Sequence, residues 1–153
     1  ITGVLGVAIQ PWNLLTNPSV YIFTWLGFYG GALGAIAGVL IADYWEVRNT
    51  NLKLAELYRV DGDYRYSAGF NWRGLVSLVV GGVLAVGGAY SAPGSGPFPQ
   101  KGIIGPLYSW FPIHVYDYSW LVGLVAAFLC YLALSALFPA AAARRRPQAA
   151  AAT

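Results

Sequence analysis

Residues 19–42 read SVYIFTWLGFYGGALGAIAGVLIA, 24 positions without a charged side chain. A helix needs about 20 apolar residues to cross the hydrocarbon core of a bilayer, so this stretch is long enough to span. Two further uncharged runs follow at 74–91 and 119–138, and each is read as a transmembrane helix. Residues 1–9 are apolar but too short to cross and are read as the end of a transmembrane helix. Barrel strands would alternate apolar and polar residues over about 10 positions, and Leu75-Val76-Ser77-Leu78-Val79-Val80 does not. Open sheets leave backbone groups unpaired in lipid. The fold class predicted is all-α integral membrane.

The composition agrees. Of 153 residues, 58% are hydrophobic and 10% charged, against about 25% charged in soluble domains. The chain contains no Met and opens within an apolar run at Ile1. The expectation is a cut N-terminus rather than a start, with neither a basic n-region nor a signal peptide. The single Cys130 excludes a disulfide framework, and with one histidine, His114, no metal cluster is expected.

Charge in the connections sets the orientation. Arg48, Lys53, Arg59, Arg65 and Arg73 fall in the connection 43–73, and Arg144, Arg145 and Arg146 in the tail 139–153. The segments 10–18 and 92–118 hold only Lys101. Basic residues favour the cytoplasmic side. The connection 43–73 is therefore read as a cytoplasmic loop, 92–118 as extracytoplasmic, and 139–153 as a disordered cytoplasmic tail whose arginines stop transfer and meet anionic lipid. Trp12, Tyr21, Trp25, Tyr44, Trp45, Trp72, Tyr118 and Trp120 lie near the span ends, where aromatic belts form. Within the cytoplasmic loop, residues 51–58 suit a short amphipathic helix and Asp61-Gly62 a tight turn of a hairpin. Residues 107–111 suit an interfacial position.

The first full span has two unlike faces. Gly27, Gly31, Gly34 and Gly38 recur at helical spacing and form a smooth face for close helix packing. Ile22, Leu26, Tyr29 and Leu33 form a bulky stripe roughly opposite. Bundle packing plus a lipid face explains both. A helix that slides or bends is the other reading, because glycine weakens a helix. Upstream, Pro11 ends the first helix, and Asn17-Pro18 is expected to start the next with Asn17 as its cap. Asp43 is read as an interfacial carboxylate. No paired intramembrane carboxylates occur, which argues against a proton path or a protease within these residues.

An ordered set of pieces carries a resemblance. QPWNLL (10–15), LGAIAG (33–38), IADYW (41–45) and Arg48 come first. Leu57-Tyr58, Gly62, Tyr64, Tyr66, Gly69, Asn71-Trp72 and Arg73 follow. Residues 1–91 resemble the C-terminal part of the nucleobase–cation symporter-1 family, in its allantoin, uracil and hydantoin permease branch. Ala35 stands where that family often has Pro. The resemblance implies a twelve-helix symporter of leucine-transporter-like fold with a midplane site. This chain would supply the end of helix nine and helices ten to twelve. Substrate and any sodium or proton site would lie elsewhere. The resemblance also places Leu26 and Tyr29 at an outer substrate gate. The function implied is import of nucleobases or related compounds (uracil, allantoin, hydantoin or cytosine) by cation symport. The location implied is the inner cell membrane, multi-pass, with a cytoplasmic C-terminus. The partners expected are the lipid bilayer, the missing N-terminal helices and a nucleobase-like small molecule, with no nucleic acid and no cofactor. An autonomous membrane scaffold or complex subunit is the alternative. A membrane enzyme has no nucleophile–base pair, metal cluster or phosphate loop to support it.

Overall fold

The computed structural model describes residues 2–8, 11–12, 15, 17–59, 64, 66, 69–91, 93, 98–109 and 115–138. Six α-helices are described: α1 Thr2–Ala8, α2 Pro18–Ile41, α3 Leu54–Leu57, α4 Trp72–Val86, α5 Gly105–Ser109 and α6 Ser119–Leu137. A wide π-helical turn, Ala42–Val47, continues α2, and a 3₁₀ turn, Val115–Tyr118, leads into α6. The long helices α2, α4 and α6 form a three-helix bundle. α6 packs on both others, most extensively on α2, and α2 also touches α4.

The bundle is built from small residues. Ala35, Ala42, Ala85, Ala89 and Ala127 are fully buried, and Tyr131 is the largest fully buried side chain. Gly31, Gly34 and Gly38 are buried as well. Without a hydrophobic drive between helices in lipid, close backbone approach is what holds them together. Two stretches, Ile22–Val47 and Tyr116–Leu137, are long and apolar enough to cross a membrane. In their apolar windows only 28% and 17% of residues are buried within the protein. Both helices therefore turn most of their apolar surface outward, unlike the core helix of a soluble domain.

Several boundaries differ from the sequence expectations. The second full span was placed at 74–91, but α4 runs from Trp72 to Val86 and is shorter than the other two. It starts early because the Asn71 side chain caps it, accepting from the Gly74 amide at 3.4 Å. It stops early because the connection to α6 folds back onto its end. The Ile104 amide donates to the Gly87 carbonyl at 2.6 Å and the Ile103 amide to the Ala89 carbonyl at 3.2 Å. Asn17 sits at the cap position of α2, but its side chain makes no capping bond. Pro18 opens that helix, with φ already set by its ring and no amide to satisfy. The short loop helix covers Leu54–Leu57 rather than 51–58. Within the segment 107–111, residues 107–109 belong to α5, and residues 110–111 lie outside the described residues. So do the Asp61-Gly62 turn, His114 and the tail 139–153.

Candidate functional site

Near the start of each helix, α2 and α6 are joined by side chains that reach backbone carbonyls. The Tyr116 hydroxyl donates to the Thr24 carbonyl at 2.5 Å, and the Ser119 hydroxyl to the Gly27 carbonyl at 2.7 Å. Helix carbonyls already carry one bond each, so these are second, shared acceptors. Beside them opens a cleft of about 370 Å³, walled by Phe23, Leu26, Gly27 and Gly30 from α2 and by Tyr116, Asp117, Ser119 and Trp120. Its walls offer aromatic faces, hydroxyls and one carboxylate. Removing one of these ties has a calculable effect. Ser119→Ala should destabilise the bundle by about 1 kcal/mol, the net worth of one hydrogen bond, read as a lower unfolding midpoint of the purified protein.

The two residues assigned to a gate are placed differently. Leu26 lines the cleft. Tyr29 stands one turn further on and stacks on Trp25, ring centroids 5.7 Å apart. Trp25 and Phe28 in turn hold Phe98 of the connection between α4 and α6, at 5.5 and 5.4 Å. Leu26 is 57% and Tyr29 49% exposed. Ile22 and Leu33 are exposed with them, and the stripe continues through Ile36 and Leu40. The four glycines lie on the other side. A Cβ built on Gly34 or Gly38 would run into the backbone carbonyl of Trp120 or Leu124, and one on Gly31 would meet Val86, Ala85 and Ser119. On Gly27 its nearest neighbours would be atoms of the Tyr116 side chain, from 3.2 Å.

At the opposite end of the bundle the contacts include an ion pair. Asp43 lies in the π-helical turn. Its Oδ1 accepts from the Tyr131 hydroxyl of α6 at 2.5 Å, and its Oδ2 from Arg48 Nε at 2.5 Å. Asn71 Nδ2 donates to the same Tyr131 oxygen at 3.0 Å. Arg48 also donates from Nη2 to the Tyr66 hydroxyl and lies 4.5 Å over the Tyr64 ring. Burial acts to lower the Arg48 pKa, but the Asp43 hydrogen bond and neighbouring oxygens outweigh it and hold it above its ordinary value. Burial pushes the Tyr66 phenol up, against the pull of Arg48. Arg48 thus stays charged and Tyr66 neutral across physiological pH. Nearby, Arg73 is 5% exposed and donates from Nη1 to the Phe138 carbonyl at 3.1 Å. A cation there suits the negative end of α6.

Among the described residues no group of three His, Cys, Asp or Glu is arranged to hold a metal. The sequence reading missed Tyr131, Tyr116 and Ser119. One signal was available for Tyr131, since a phenol inside an apolar span needs a partner.

Residues 1–123 match the family described as permeases for cytosine/purines, uracil, thiamine and allantoin. The chain belongs to this family. Curated relatives agree. It is 34% identical to the allantoin permease of Bacillus subtilis, over 92% of this chain and 25% of the relative. It is 37% identical to a purine–uracil permease of Arabidopsis thaliana, over 58% of this chain and 15% of that one. It is 35% identical to the hydantoin permease of Microbacterium maritypicum, over 52% of this chain and 16% of the relative. The chain thus spans at most about a quarter of each of these relatives. No solved structure matches it. These relatives are named as permeases, not enzymes. A permease of this family is a multi-pass membrane protein, and the two outward-facing apolar helices fit that setting. The family match covers α1 to α5, all the residues that line the cleft, and Asp43, Arg48 and Asn71 of the ion-pair cluster. Tyr131 lies beyond it.

Proposed function

We propose that this chain is the C-terminal helical part of a secondary active transporter that imports nucleobases or related compounds by cation symport. The observation that carries the proposal is the match of residues 1–123 to the permease family, supported by relatives named for allantoin, purine–uracil and hydantoin. The whole transporter would have twelve helices and a leucine-transporter-like fold, α2 being the tenth and α6 the twelfth. Substrate and coupling-ion sites would lie in helices outside this chain. Eight of the nine basic residues lie in the connection 43–73 or the tail, which supports a cytoplasmic C-terminus in the inner membrane.

In this reading the outer half of α2 closes over bound substrate. Leu26 on the cleft and Tyr29 on its aromatic shelf are the gate. The glycine face allows the helix to bend without losing its packing on α6. The test is competition for uptake in cells expressing the full-length parent. Labelled uracil, allantoin and hydantoin are each offered against an excess of the other two. One compound is expected to dominate, and Leu26→Ala or Tyr29→Ala to shift the order of preference. An order unchanged by either substitution removes the gate assignment. Absence of uptake of all three by correctly inserted protein removes the substrate class.

A further inference from the structure

The ion-pair cluster joins three helices through one side chain. Asp43 closes α2. Tyr131, fully buried at mid-length in α6, donates to it. Asn71, the cap of α4, donates to Tyr131 and at the same time accepts from Gly74. At the other end, among the described residues, the ties are hydroxyls on the Thr24 and Gly27 carbonyls and a bond from the Tyr90 hydroxyl to the Asp117 carboxylate at 3.5 Å, next to an open cleft. The carboxylate bond at the Asp43 end is the shorter of the two, at 2.5 Å. The turn that carries Asp43 is π-helical, with the Arg48 amide reaching back to the Asp43 carbonyl at 3.0 Å. Such turns widen the helix and recur at functional positions. Here the turn carries Asp43 and Arg48 into one cluster, with Arg48 stacked over Tyr64.

We propose that Asp43, Tyr131 and Asn71 form a positioning relay. It fixes the inner end of α2 to the last helix and so sets where the outer half of α2 stands over the cleft. Tyr131 is a positioning residue and touches no substrate. The lever is long: Leu26 and Asp43 are 17 residues apart, about 25 Å at 1.5 Å per helical residue. A small change of tilt at the inner end becomes a larger displacement at the cleft. The proposal rests on the transporter reading for its effect on uptake, but not for its effect on the position of α2.

The experiment uses the full-length transporter with two independent readouts. The first is uptake of the preferred labelled compound, with KM and kcat per inserted molecule for Tyr131→Phe, Asp43→Asn and the double variant. Each single variant is expected to raise KM about five-fold or more, at the lower end of coupling between distant sites, with kcat nearly unchanged. Because Tyr131→Phe removes this bond and Asp43→Asn weakens the same bond by taking the charge from its acceptor, the double variant should be little worse than the more severe single variant. The second readout needs no substrate. Leu26→Cys is placed in a background whose other cysteines, Cys130 included, are replaced, and its reaction rate with a soluble thiol reagent is followed in detergent. Tyr131→Phe and Asp43→Asn should each change that rate several-fold. If both substitutions lower only the amount of inserted protein, with KM and the labelling rate at position 26 unchanged, the relay is wrong. If labelling changes while no compound is taken up, the relay stands and the transporter reading falls.

Discussion

Gly34→Ala and Gly38→Ala should each destabilise the full-length protein by about 2–3 kcal/mol, near the upper end of the cost of overpacking. A methyl group at either position would be driven into a backbone carbonyl of α6, Trp120 or Leu124. A flexible side chain would swing away, but a helix backbone cannot. The two helices must separate, and the neighbouring contacts of Gly31 and of Gly123 against the Gly31 carbonyl open with them. Helix propensity pulls the other way, since alanine is favoured over glycine by about 1 kcal/mol. The packing clash has to exceed that gain. Gly30→Ala supplies the contrast on the same helix. Its added Cβ would meet Trp120 Cβ at an ordinary 3.7 Å, so stability should hold or rise by up to about 1 kcal/mol. Unfolding midpoints of the three purified variants would decide it. Equal behaviour of Gly30→Ala and Gly34→Ala would show that α2 does not pack on α6 through this face.

Asp43→Ala should be comparably severe, at about 2–4 kcal/mol. The substitution leaves the Tyr131 hydroxyl buried with only Asn71 as partner, and strands Arg48 without its carboxylate. An unsatisfied buried polar group costs about 1–3 kcal/mol, and breaking a fully buried ion pair about 3–5. The pair here keeps some water, with side chains 18% and 24% exposed, so the lower part of that range applies. Arg48→Ala should cost less, since Asp43 retains Tyr131. Combined with Asp43→Ala it should add little, because both remove the same ion pair. Additive losses across this cycle would mean that Arg48 and Asp43 do not interact in the folded protein.

The two long apolar helices were legible because 19–42 and 119–138 hold no charge over a helical length. The faces of α2 were legible too, since glycine spacing needs only the 100° helical step. What packs on that face was not: Trp120 and Leu124 lie more than 80 positions away, and nothing local points to them. The end of α4 was misplaced for the same reason. The run 74–91 stays apolar, but Ile103 and Ile104 return to take the carbonyls that would have continued the helix. Asp43 illustrates the limit at the candidate site. Its place at the water boundary could be read from the sequence. Its bond to Tyr131, 88 residues later, depends on how the last helix is set against α2, which periodicity does not encode. The distinction between Leu26 on the cleft and Tyr29 on the aromatic shelf likewise needed Phe98 from the connection between α4 and α6.

We propose that these helices serve a transporter driven by an ion gradient. That proposal is tested most directly with the full-length protein in sealed vesicles, where a sodium or a proton gradient is imposed separately. The account predicts that one of uracil, allantoin or hydantoin accumulates inside above its outside concentration under one gradient, and only equilibrates without it. Equilibration alone under both gradients, or no movement of any of the three, would contradict it.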